Sequence, residues 1–262
     1  MIKFGVTSLT FKQFTPEQIV EAVKNSSADG IEWGENENHI PLGDLLRAGE
    51  IGELTRSKGL EVFSFGSYYT LGEPIENFEI TLQTALALGA PIIRIWAGKQ
   101  SPSLISQQEF DNYIVQAKFM GDIAKKSNVQ LCFEYHKGTL TETAVSAKKL
   151  VTAIDHSDIG LYWQPNFDYD FDENLAGLKS IIGFVTKNIH IHNYNEDAGY
   201  KNLCEVKSEI VSYLNMICQQ NKDFNIIIEF VKGASVENFL KDLQILKTTF
   251  PLCTTKAVSR RP

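Results

Sequence analysis

Leu131-Cys132-Phe133-Glu134-Tyr135-His136 is the stretch on which the reading of this chain turns. Residues two apart on a strand share a face, so Glu134 and His136 point the same way from the end of an apolar run. Three later segments end in the same manner. Leu161-Tyr162-Trp163-Gln164-Pro165-Asn166 puts Gln164 and Asn166 on one side, and Ile189-His190-Ile191-His192 aligns two histidines. Ile226-Ile227-Ile228-Glu229 sets a carboxylate after three isoleucines, the continuous apolarity expected of a parallel strand covered on both faces.

Working outward, short apolar runs alternate with helical patterns along the whole chain. Strands are expected at residues 2–6, 30–33, 61–65, 91–96, 130–136, 159–163, within 182–192, and at 224–230. Thr15-Pro16-Glu17-Gln18 reads as an N-cap, a proline at the first helical position and a capping-box glutamine. Ser106 with Glu109 and Asp170 with Glu173 mark two further helix starts, and Thr139 with Glu142, or Thr141, a third. Other helices are expected at 42–57, 75–88, 205–219 and from Ser235 to about Thr248.

Eight strand–helix units in 262 residues favour a closed parallel (β/α)8 TIM barrel, an α/β fold in a single domain. The barrel is expected to span 1–253, with 254–262 as a flexible tail. The alternative, an open doubly wound sheet, gains nothing from the sequence. It has no Walker-type loop and no GxGxxG after the first strand.

The bulk numbers exclude several classes of function. At 43% hydrophobic and net charge −7, the chain can build a sizeable core but has no basic footprint for nucleic acid. No apolar segment approaches the roughly 20 residues of a membrane span. Met1–Gly5 enters a strand pattern directly and lacks a signal-peptide core. Cys132, Cys204, Cys218 and Cys253 form no CxxC pair and read as inert thiols. Cytoplasm is the expected compartment. A homodimer is a compatible assembly, although no segment stands out as an interface.

In a barrel, strand exits meet at one mouth. A carboxylate there needs a partner, because isolated charge is costly to desolvate, and a divalent cation is one solution. The expected metal ligands are Glu134, Gln164, His192 and Glu229. Oxygen and imidazole donors suit Mn, Mg or Co, and Zn or Fe also fit. His190 is expected to support the ligands from behind. Glu32, Arg94, Trp96, His136, Asn166 and Lys201 are the expected substrate contacts, with Arg94 alternatively neutralising a carboxylate. Tyr68, Tyr69 and Tyr162 are expected to contribute from loops, and His39 and His156 to lie on the surface or in loops. Each residue also has a structural reading: an ion pair for Glu134, a hydrogen-bonded core position for His192, a strand-end acceptor for Glu229.

On these segments, together with DGIEWG at 29–34, LCFEYHKGTL at 131–140, LYWQPNF at 161–167, HIHNYNE at 190–196 and IIIEF at 226–230, the sequence resembles the sugar phosphate isomerase/epimerase-like, or xylose isomerase-like, TIM-barrel superfamily. The resemblance implies Glu, Asp, His and Glu at successive exits of strands five to eight, falling on Glu134, Gln164, His192 and Glu229. It departs at Gln164, where Asp is expected. It departs also at Phe167, where a histidine would bind a hydroxyl, and at Ala198, where an arginine would bind substrate.

The expected activity is metal-assisted isomerisation or epimerisation of a small carbohydrate through an enediolate, with Glu134 and Glu229 as the proton-transferring pair. A metal-dependent dehydratase or lyase on an inosose or sugar acid is the alternative enzyme. A non-catalytic sugar-binding barrel is the alternative outside catalysis. The resemblance also embraces endonuclease IV-like enzymes, whose several metals demand more histidines than the five in this chain.

Overall fold

The computed structural model describes residues 1–196 and 199–258. Eight parallel strands close into one barrel: β1 Ile2–Thr7, β2 Gly30–Gly34, β3 Glu61–Thr70, β4 Ile92–Trp96, β5 Gln130–Glu134, β6 Ile159–Trp163, β7 Val185–Ile191 and β10 Phe224–Ile228. Neighbours in sequence are neighbours in space, and β1 seals the ring against β10 from Ile2↔Phe224 to Val6↔Ile228. The antiparallel pair β8 Tyr194–Asn195 and β9 Gly199–Tyr200 forms a small hairpin outside the barrel; it was not anticipated. The helices are α1 Pro16–Asn25, α2 Leu45–Ser57, α3 Ile75–Leu88, α4 Gln107–Lys126, α5 Ala144–Ile154, α6 Phe171–Ile181, α7 Lys207–Cys218 and α8 Val236–Val258. Among the described residues, no helix is long and apolar enough to cross a membrane.

Local chemistry places most boundaries. Thr15 and Gln18, Ser106 and Glu109, and Asp170 and Glu173 each close a reciprocal capping box at the starts of α1, α4 and α6, as the spacing indicated. Helix α5 does not start where the threonines suggested. Thr139 Oγ1 donates to the His136 carbonyl and Thr141 Oγ1 to that of Glu134, so both hydroxyls are spent at the exit of β5. Thr143 caps α5 instead, paired with Ser146. Helix α2 begins after Asp44, whose carboxylate accepts from Arg47 N at 3.0 Å, and Leu42 falls in the turn before it. Helix α8 continues past its expected end, through Val258, into the stretch expected to be a tail; residues 259–262 lie outside the described ones.

Alternation along the strands divides the core into two layers. Residues such as Ile93, Ile95, Leu131, Phe133, Ile189 and Ile191 face the helices and join one continuous apolar cluster. Each such burial contributes about 1.5–3 kcal/mol. Their neighbours face the barrel axis. There Ile92, Cys132 and Tyr162 make a small separate cluster, topped by polar groups. Tyr162 is thus an interior residue and not a loop contributor. It lies two positions before Gln164 on the inward face, and its hydroxyl accepts from Asn188. His39 lies in the loop after β2, as expected, but is wholly buried and not on the surface. Its Nε2 lies 3.1 Å from the Phe14 carbonyl and its Nδ1 3.1 Å from Ser8 Oγ, which compensates the imidazole for lost water.

Candidate metal and acid–base site

The exits of β5, β6, β7 and β10 converge on one cavity of about 400 Å³. Its lining includes Glu134, His136, Gln164, Asn166, His192 and Glu229. These six expected residues are therefore brought together. Glu32, Arg94, Trp96 and Lys201 do not line it.

Beneath the cavity the charges interlock. Arg94 Nη1 and Trp96 Nε1 both lie 2.7 Å from Glu134 Oε2, so both side chains are directed at that carboxylate and not at the cavity. Gly66 on β3 makes the arrangement possible: a Cβ there would stand 2.9 Å from Arg94 Nη2 and 3.3 Å from Glu32 Oε1. His190 donates from Nε2 to Glu32 Oε1 at 2.9 Å, and Ser64 donates to the other Glu32 oxygen at 2.8 Å. Asn188 donates to Ser64, and Asn225 to Asn188. A polar column thus runs down the barrel axis and satisfies most of these buried groups.

With Nε2 engaged, His190 turns Nδ1 upward, 3.4 Å from Glu229 Oε2 and 3.8 Å from Glu134 Oε1. His192 Nδ1 approaches the same Glu229 oxygen at 3.5 Å. Burial alone would raise the Glu229 carboxyl, but the close charges of His190 and His192 hold it well below the usual carboxylate range. Burial likewise opposes the charge on Glu32 and is outweighed by His190 and Arg94, so Glu32 is also lowered. His190, disfavoured as a cation by burial, is nonetheless raised well above its ordinary value by Glu229 and Glu32.

One ligand atom from each of Glu134, His190 and Glu229 lies within 4.8 Å of the others, the spacing of a candidate metal triad among the described residues. His190 therefore stands in the place expected of His192, with His192 beside it. The fit of a cation is visible in what is left unpaired. His190 Nδ1 and His192 Nδ1 are buried and reach only carboxylate oxygens, at 3.4–3.8 Å without a well-formed hydrogen bond, and the buried Gln164 Oε1 has no partner among the described residues. With the imidazole protons displaced, two ring nitrogens and an amide oxygen next to two carboxylates form a donor set that a hard or borderline dication satisfies.

The remaining candidates have other roles. Tyr69 is buried and donates to the Glu73 carbonyl at 3.0 Å. Tyr68 stands edge-on to Trp96, with centroids 6.1 Å apart. His156 pairs with Asp122 at 3.3 Å. Lys201 is half-buried and its N–H donates to the Asn193 carbonyl at 2.8 Å. Ala198 lies outside the described residues. Cys132 is enclosed in the barrel, and burial pushes its thiol up to about 12, as an inert thiol requires; Cys204 is exposed.

The chain's aromatic wall escaped sequence reading. Phe167, Tyr194, Tyr200 and Phe230 line the cavity in succession, with centroids 5.2, 5.0 and 4.9 Å apart. The signal available was the pair of tyrosines flanking residues 195–199, which only the β8–β9 hairpin brings together.

The sequence profile of the xylose isomerase-like TIM barrel matches residues 20–205. A 3-dehydroshikimate dehydratase of Bacillus anthracis is 23% identical over 170 residues, 60% of this chain and 60% of that protein. The structure of a probable 3-DHS dehydratase involved in petrobactin synthesis, also from Bacillus anthracis, superposes with a TM-score of 0.76 at 18% identity, covering 94% of this chain and 98% of that one. An L-ribulose 3-epimerase matches with a TM-score of 0.76 at 12% identity, over 100% of both chains. At these identities the structural likenesses speak for the fold.

Proposed function

The chain belongs to the xylose isomerase-like TIM-barrel family, and from that premise we propose that it is a cytoplasmic, divalent-metal-dependent isomerase or epimerase of a small sugar or sugar derivative. The observation that carries this reading is the meeting of Glu134 and Glu229, from opposite sides of the mouth, within one cluster 4.8 Å across. A bound dication, Mn, Mg or Co by this donor set, would supply positive charge to offset the negative charge that develops on a substrate oxygen. Glu134, His190 and Glu229 would hold it, with Gln164 and His192 adjoining.

The chain's own residues divide the remaining work. Arg94 and Trp96 fix Glu134 Oε2, which leaves Oε1 toward the mouth. Glu229 stays ionised because its carboxyl is held low by His190 and His192, so it can accept a proton from the carbon next to a carbonyl. One glutamate removes that proton. The other returns one to the opposite face for epimerisation, or to the adjacent carbon for aldose–ketose exchange. Such acid–base help is worth about 10²–10⁴-fold. His136 Nδ1 lies 2.7 Å from the Lys137 carbonyl. A carbonyl only accepts, so Nδ1 carries the hydrogen and Nε2 is free to accept from a substrate hydroxyl.

A dehydratase reading is favoured by the likeness to a 3-dehydroshikimate dehydratase. It begins with the same proton removal and then expels a β-hydroxyl. A metal-reconstituted screen of ketoses, aldoses, their phosphates and inosose-type polyols in deuterated water separates the two. Solvent deuterium in a product of unchanged composition supports isomerisation. Water loss supports dehydration. Binding without exchange on every probe would leave a carbohydrate-binding barrel and overturn both.

A further inference from the structure

Beside the site lies a second cavity of about 660 Å³. Tyr200 and Phe230 line both spaces, so this ring pair is the partition between them. The far side is built by the loops that follow β1 and β10, and each contributes one lysine, Lys12 and Lys232. Two hydrogen bonds tie the loops together: Phe230 N–H donates to Thr10 Oγ1 at 2.9 Å, and Gln13 Nε2 donates to the Ala234 carbonyl at 2.9 Å. The lysines are therefore carried on anchored backbone.

Their charges are not neutralised by any described residue. Among the described residues, neither ammonium group has a hydrogen-bond or ion-pair partner. Lys137, at the mouth itself, is paired with Asp168 at 2.6 Å. No acidic residue is among those described as lining the second cavity, although the chain as a whole carries net charge −7. Two free ammonium groups beside one cavity concentrate positive potential where the rest of the molecule is acidic.

We infer that the Lys12–Lys232 cavity is an anion subsite that holds a phosphate or carboxylate at the far end of the carbohydrate substrate. The inference rests on the reaction site proposed above: the reacting carbons lie between Glu134 and Glu229, the carbon chain crosses Tyr200 and Phe230, and the anionic end reaches the lysines. Lysine suits such a terminal group because its ammonium is a compact charge on a flexible stem. Both side chains are exposed, so the attraction weakens with salt.

The test is calorimetric titration of the intact, metal-supplemented protein with D-fructose, D-fructose 6-phosphate and D-gluconate. It compares the native chain with Lys12→Gln/Lys232→Gln at low and at moderate salt. The expected result is an anionic probe that binds at least tenfold tighter than fructose. That ratio falls toward one in the double variant and shrinks with added salt. A phosphate-only advantage identifies a phosphoryl group; an advantage for gluconate identifies a carboxylate. The inference is overturned if neither anion exceeds fructose, or if the advantage survives in a double variant whose circular dichroism is native. Repeating the titration on Glu229→Gln separates the two claims. An anion preference retained in that variant upholds the subsite whatever the chemistry; a native chain that exchanges no proton in any substrate sinks the reaction but not the subsite, and exchange without an anion preference does the reverse.

Discussion

Arg94 Nη1 lies 2.7 Å from Glu134 Oε2, with both side chains almost entirely buried. The two residues sit on adjacent strands, where Arg94 is in register with Cys132, two positions before Glu134. The guanidinium thus meets the carboxylate diagonally along the barrel's inner face. Removing one partner of such a pair strands a buried charge, which costs about 3–5 kcal/mol. Arg94→Met is therefore expected to lower the urea midpoint substantially and to depress turnover. An unchanged midpoint would mean that the pair is not coupled to folding.

Gly66 offers a gentler probe of the same contact. A methyl group there would crowd Arg94 Nη2 and Glu32 Oε1. Overpacking of this kind costs about 1–3 kcal/mol. Gly66→Ala should lose stability within that range and lose activity by more than stability explains, because the guanidinium must shift away from Glu134. Native kinetics in Gly66→Ala would show that Glu134 tolerates displacement of its partner.

Gln164 brings an unpaired buried oxygen to the mouth but no charge. Replacing it with Asp adds a negative donor at the same reach. Gln164→Asp should retain Mn at least tenfold more tightly, as read by competition with a chelator. Retention that is equal or weaker would place Gln164 outside the coordination sphere.

Asp242 governs a separate, pH-dependent share of stability. It is buried at the base of α8 and accepts from Leu203 N at 2.7 Å. Burial raises its carboxyl from 3.8 to about 6. The folded state therefore keeps this proton at pH values where the unfolded chain has released it. Stability from this group declines as pH rises from about 4 to about 6 and stays lower above that,. Asp242→Asn, which keeps the acceptor, should match the native chain near pH 4 and exceed it near pH 8 in denaturant midpoint. Parallel curves across that window would refute the assignment.

Much of the fold was legible because apolar strands punctuated by capping signals leave little choice of architecture. The site was legible where polarity stood out against that pattern, at Glu134, Gln164, His192 and Glu229. The histidine pair was harder to divide. Alternation says that His190 and His192 share a face, but only the packing of β7 against Glu32 shows His190 beneath the mouth with Nε2 committed to that carboxylate. Arg94 and Trp96 face the axis as the pattern requires, yet which partner they meet depends on register with β5. The β8–β9 hairpin was invisible because two-residue strands have no periodicity to read.

Glu229 rides at the end of the strand that meets the first one, with its own N–H donating to the Ile191 carbonyl at 3.0 Å. Its position opposite Glu134 therefore depends on a ring closure between the two ends of the barrel. Closing so long a loop is entropically slow to repay. During synthesis, a chain that has not yet delivered β10 holds Glu134 but lacks Glu229 and cannot close the ring between β1 and β7. The Glu134–Glu229 pairing that we propose carries the chemistry is therefore assembled only when the last strand docks.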